Sequence, residues 1–219
     1  SGMQLTCWAD TGIAEPADLA NRTLGVWFSG NEYPFLSWMS QLGLSTDGKS
    51  ETGVEVLKQG FNVDPLIQRQ ADCISTMTYN EYWQVIDAGV TPEELVNFPY
   101  TEQGVATLED GLWVLEENLE DPAFVDRMAR FVRASMRGWE WAQENPEEAA
   151  QITIDAGSGW GPSHELWMVN ETNKLIWPAP NGIGYIDPDA FAATVAAALS
   201  AVNETGASLI TAEPPASAY

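Results

Sequence analysis

"TLGVWFSGNEYPFLSWMSQLGL", residues 23–44, and "DCISTMTYNEYWQV", residues 72–85, decide how this chain reads. Each opens with a short apolar, β-branched or aromatic run of strand type and then turns polar at the same tripeptide, Asn-Glu-Tyr, at 31–33 and at 80–82. After the first copy, "EYPFLSWMSQLGL" carries its apolar residues at helical spacing. Each copy therefore reads as a strand ending in a polar turn that feeds a helix. Between them, "GVEVLKQ" reads as a further strand and "VDPLIQRQ" as a short helix opened by Asp64 and Pro65. The order is β-α-β-α-β-α, which implies an α/β fold whose sheet is mainly parallel, with helices on its faces.

In open α/β sheets, ligands bind beyond the carboxyl ends of the strands, where helix N-termini offer unpaired N–H groups. Both Asn-Glu-Tyr turns belong to that edge. The candidate ligand-binding residues are Asn31, Glu32, Tyr33, Tyr79, Asn80, Glu81 and Tyr82, with Trp27 and Trp83 beside them. A purely structural role competes for each copy alone, because Asn is an ordinary N-cap and Glu is favoured in a first helical turn. Two copies on one edge favour a site.

With 219 residues, 45% of them hydrophobic, the chain can bury a sizeable core. Its 32 acidic and 9 basic residues give a formal net charge of −23, which argues against nucleic acid as a partner. The acidic residues are spread along the chain, as on a folded and strongly hydrated surface. Cys7 and Cys73 are the two cysteines and have no metal or redox spacing; they read either as one disulfide of an oxidising compartment or as two small buried residues. No run approaches a membrane span, and "AFAATVAAALSAV" reads as a core helix. The start, "SGMQLTCWAD", lacks the basic and apolar runs of a signal peptide.

The second half is different in character. Two strands are expected around Val96 and Trp113, and the pattern then turns helical. "PAFVDRMARFVRASMRGWEWAQENPEEAAQITI" is a long amphipathic stretch that starts at Asp121 and Pro122 and breaks at Asn145 and Pro146. Further helices are expected in "SHELWMVNETNKL" and, after Asp187 and Pro188, in "DPDAFAATVAAALSAV". "DAGSGWGPSHELW" is Gly-rich but lacks a Walker lysine and the Gly-x-Gly-x-x-Gly spacing, so it reads as a loop. His164, the single histidine, reads as a helix-start residue, and Trp160 and Trp167 read either as core or as residues bordering a ligand cleft.

"DLANRTLGVWFSGNEYPF", "KQGFNVDPLIQRQADCISTMTYNEYWQV" and "DPAFVDRMARFVRASMRGWEWAQENPEEAA" together resemble the solute-binding proteins of ABC importers, in particular the thiamine-pyrimidine-precursor-binding-like family. The Asn-Glu-Tyr turn after the first strand, Gly60-Phe61 and "MTYNEY" are the most specific marks. The resemblance implies a type II periplasmic-binding-protein fold, two α/β lobes with a ligand cleft between them. It implies residues 18–110 as the second lobe and residues 1–17 and 111–219 as parts of the first, whose N-terminal part, with a signal peptide, is expected to be absent. A piece of that kind would expose a broad apolar surface.

The implied function is to clamp a small heteroaromatic, such as a pyrimidine thiamine precursor or riboflavin, and deliver it to an ABC permease. The carrier is expected to be periplasmic or tethered to the outer face of the cytoplasmic membrane, and a monomer when complete. Neither a cofactor nor a catalytic residue nor a metal is expected. Two alternatives accompany this reading: a sulfonate such as taurine as cargo, or a pyrimidine-precursor synthase like the family's eukaryotic relatives, which use a pyridoxal-phosphate lysine and a sacrificed histidine. The lysines are Lys49, Lys58 and Lys174, and none is expected at a suitable strand end.

Overall fold

The structure is a computed structural model that describes residues 1–48, 52–203 and 205–215. Its described part divides into two compact units, Ser1–Leu108 with Asp187–Tyr219, and Glu109–Ile186.

The first unit is built on a five-stranded sheet of order β3-β2-β4-β1-β5, formed by β1 (Met3–Trp8), β2 (Thr23–Val26), β3 (Glu55–Lys58), β4 (Cys73–Met77) and β5 (Leu95–Pro99). Strands β2, β3 and β4 run parallel and are joined by the expected crossovers through α1 (Glu32–Leu42) and α2 (Asp64–Ile67); α3 (Glu81–Asp87) follows β4. The strand expected at Val96 is β5. Strand β1 lies between β4 and β5 and runs antiparallel to both, so the sheet is mixed. "MQLTCW" therefore joins the sheet whose other strands all fall within residues 18–110, because its backbone finds ladder partners on both sides.

The pleat sends alternate side chains to opposite faces, and each face has its own core. On one, Leu5, Cys7, Cys73 and Phe98 pack with Phe35, Trp38 and Met39 of α1. On the other, Trp8 and Ile74 pack with Leu66 of α2 and Val85 of α3. Cys7 and Cys73 are direct register partners, and their sulfurs form a buried disulfide across β1 and β4. Of the two readings open from the sequence, the disulfide is the one observed. Gly25 of β2 is fixed by close approach: a Cβ there would lie 3.0 Å from both the Ile74 Cγ2 and the Gln59 Oε1. Helix α1 ends at Gly43, φ 70°, whose left-handed conformation lets the N–H groups of Gly43 and Leu44 bond back to Ser40 and Met39.

Helix α7 (Pro188–Ser200) belongs to this unit too. It packs on α1, where the hydroxyls of Ser37 and Ser200 meet at 3.0 Å and Ala201 enters the core. The second unit is helical, with α4 (Pro122–Glu144), α5 (Pro146–Asp155) and α6 (Pro162–Ile176). The Asp121 carboxylate caps α4 by accepting the Ala123 N–H, and Pro146 starts a new helix where the long amphipathic stretch was expected to break. Apolar side chains of α4, Phe131, Trp139 and Trp141 among them, are exposed. The strand expected around Trp113 is not formed: among the described residues no strand pairs with this segment, and the Trp113 side chain is 79% exposed.

Candidate functional site

Three adjacent parallel strands, in the order β3-β2-β4, bring three strand-to-helix turns side by side at one edge of the sheet. Residues 27–31 link β2 to α1, residues 59–63 link β3 to α2, and residues 78–80 link β4 to α3. Both Asn-Glu-Tyr copies therefore stand at the carboxyl edge, on neighbouring strands.

In the first turn the chain reverses through Ser29 at φ 68° and Gly30 at φ 112°, both left-handed. Gly30 relieves the strain at one of these positions because it carries no Cβ. Its N–H donates to the Glu32 Oε2 at 2.7 Å, and Glu32 is only 7% exposed. Asn31 takes the N-cap position of α1 without a side-chain capping bond and is exposed. The second turn repeats this design. The Glu81 Oε2 accepts the Met77 N–H at 3.0 Å, and its Oε1 accepts the Asn80 Nδ2–H at 2.8 Å. The amide oxygen of Asn80 accepts a bond from the Gln84 Nε2 at 3.3 Å. Glu81 is 6% exposed, and this burial pushes its carboxyl above the usual range, with the Met77 N–H and Asn80 opposing the shift.

The two glutamates thus direct their oxygens into the turns that carry them. The tyrosines separate: Tyr33 packs against the core beneath α1, Tyr82 against the core beneath α2 and α3, and Tyr79 is half-buried in the β4–α3 turn. The third turn was not among the candidate site residues, although Gly60-Phe61 is one of the marks of the resemblance. Here the carbonyl of Gly60 accepts the Trp27 Nε1–H at 3.0 Å, which ties this turn to the first. The available signal was an aromatic residue and an Asn, Phe61-Asn62, placed between a strand and a proline-started helix, the same grammar as the other two turns.

Lys58 is the last residue of β3 and so does stand at this edge, contrary to expectation, with its Nζ 5.4 Å from the Phe28 ring centroid. Lys49 lies outside the described residues. His164 is in the first turn of α6 as expected; it is buried and its ring stacks on Trp160 with centroids 4.3 Å apart. Beside the first turn, on the α1 side of the sheet, a groove of about 510 Å³ is lined by Phe28, Glu32, Leu36, Val56 and Leu209 among others. Among the described residues there is no cluster of His, Cys, Asp and Glu able to hold a metal ion, and no helix is long and apolar enough to cross a membrane.

A family profile described as "NMT1/THI5 like" matches residues 2–149. No curated protein matches. Among solved structures, a protein from Bordetella bronchiseptica RB50 aligns over 92% of this chain and 63% of its own, at 16% identity and a TM-score of 0.48. The chain thus spans under two thirds of that neighbour's length.

Proposed function

Because the chain belongs to the NMT1/THI5-like family, a family of periplasmic solute-binding proteins for ABC transporters, we propose that it clamps a small heteroaromatic, such as a pyrimidine thiamine precursor or riboflavin, and delivers it to a membrane permease. The observation that carries this reading is the alignment of three strand-to-helix turns, each with an aromatic residue and an Asn, on one sheet edge. Rings suit the faces of a planar ligand, while a few amides and backbone groups fix its orientation. Asn31, Tyr79 and Asn80 serve as lining residues, Glu32 and Glu81 act through the turns they hold, and Tyr33 and Tyr82 support those turns from the cores on either face. In the whole protein, residues 18–110 supply the second lobe together with β1, which completes their sheet, and with α7, which packs on α1, while residues 111–186 supply part of the first.

The carrier works outside the cytoplasm. The buried Cys7–Cys73 disulfide supports that location, since such bonds persist in oxidising compartments. The family consists mostly of binding proteins but includes synthases. For a synthase of the pyridoxal-phosphate kind, Lys58 is at the sheet edge, but the single histidine is buried against Trp160, which does not suit a residue to be consumed. A binding role fits these residues better than a synthase role.

The test is a titration of the full-length protein with hydroxymethylpyrimidine, riboflavin and taurine, followed by tryptophan fluorescence. Saturable binding of one planar ring at micromolar or lower concentration supports the reading. A response to taurine alone, or to none of the three, overturns the choice of a heteroaromatic.

A further inference from the structure

Phe61 is 87% exposed, more than any other large apolar side chain among the described residues. Its backbone is nevertheless pinned on both sides. Upstream, the Gln59 N–H donates to the Val26 carbonyl at 2.9 Å, and the Gln59 side chain makes two further bonds of 2.9 Å with the backbone of Ser75. The Gly60 carbonyl holds the indole N–H of Trp27, a residue only 5% exposed and anchored in the core. Downstream, the Asp64 N–H donates to the Asn62 Oδ1 at 3.1 Å as α2 begins. A firmly held turn thus carries a ring that water surrounds.

Strand order places this turn one strand from the first Asn-Glu-Tyr turn and two strands from the second. At about 4.8 Å per strand, the ends of β3 and β4 are about 10 Å apart. The first turn, residues 27–31, lies between the outer two, so a ring resting on it would have the Phe61 turn on one side and the Tyr79 turn on the other.

We propose that the β3–α2 turn belongs to the ligand site and that Phe61 is its stacking platform, so that the site favours ligands with a planar ring. The proposal rests on the solute-binding reading above. It makes Phe61 a specificity-determining residue, and the exposed ring becomes buried when the ligand arrives.

The test is calorimetric titration of the full-length protein and its Phe61→Ala, Phe61→Trp and Tyr79→Ala variants with riboflavin, hydroxymethylpyrimidine and taurine. Because the ring is exposed, Phe61→Ala is expected to melt as the parent does. Loss of a stacked ring should weaken binding of the planar probes about tenfold or more, and Phe61→Trp should restore it. Undiminished ring binding by Phe61→Ala, with loss in Tyr79→Ala, overturns the role of Phe61 and leaves the solute-binding reading intact. Failure of the parent to bind either ring overturns both.

Discussion

Replacing both cysteines with alanine removes the single covalent link between the middle strands of the sheet and should destabilise the first unit strongly. Cys7 and Cys73 are 66 residues apart in sequence. In the chain-entropy account, closing a loop of that length removes about 15 cal/mol/K from the unfolded ensemble, or about 4 kcal/mol at room temperature. Alanine suits the test better than serine, since both sites are fully buried and a hydroxyl in each would lack a partner. Urea unfolding of parent and variant, with amide hydrogen exchange read at β1 and β4, measures the change where it arises. The expected result is a loss of about 4 kcal/mol together with faster exchange in both strands. A loss below about 1 kcal/mol would refute the reasoning, because the reduced chain would then keep these strands paired in its unfolded ensemble.

Other perturbations test the turns. Gly25→Ala should cost about 1–3 kcal/mol in urea unfolding, because its Cβ meets Ile74 and Gln59 at 3.0 Å. Burial raises the Glu81 carboxyl, so the folded chain holds that proton more tightly than the unfolded chain does; this contribution is present below the usual carboxylate range and lost as pH rises through the raised value. The stability of the parent relative to Glu81→Gln should therefore fall from acid toward neutral pH, as melting temperatures of the two across that range would reveal. Tyr79→Ala should weaken binding of a planar ring about tenfold while leaving the sheet folded, which calorimetry and circular dichroism can check together.

The β-α-β-α-β-α order was legible because "TLGV", "EVLK" and "CISTM" are strand-type runs, each followed by a polar turn and then helical spacing. The placement of "MQLTCW" was not, since its partners begin at Cys73 and Leu95, far along the chain, and local pattern carries no record of distant pairing. "GLWVLEE" looked like a strand for the same reason in reverse: its composition suits one, but among the described residues no strand pairs with it. At the site, the repeated tripeptide identified two of the three turns. It could not reveal that Glu81 bends back onto the Met77 N–H, because residue type specifies an acceptor and only the folded backbone specifies its donor. The third turn escaped selection because Gly60-Phe61-Asn62 does not repeat the tripeptide, although it occupies the equivalent place.

Hydrogen–deuterium exchange of the full-length protein, with and without saturating hydroxymethylpyrimidine or riboflavin, tests most directly whether the three turns form one ligand site. The account predicts protection in peptides covering residues 27–33, 59–63 and 78–83 together. Protection confined to residues 46–48 and to Asn203 and Leu209, which line the groove on the α1 side, or no protection at any turn, would contradict it.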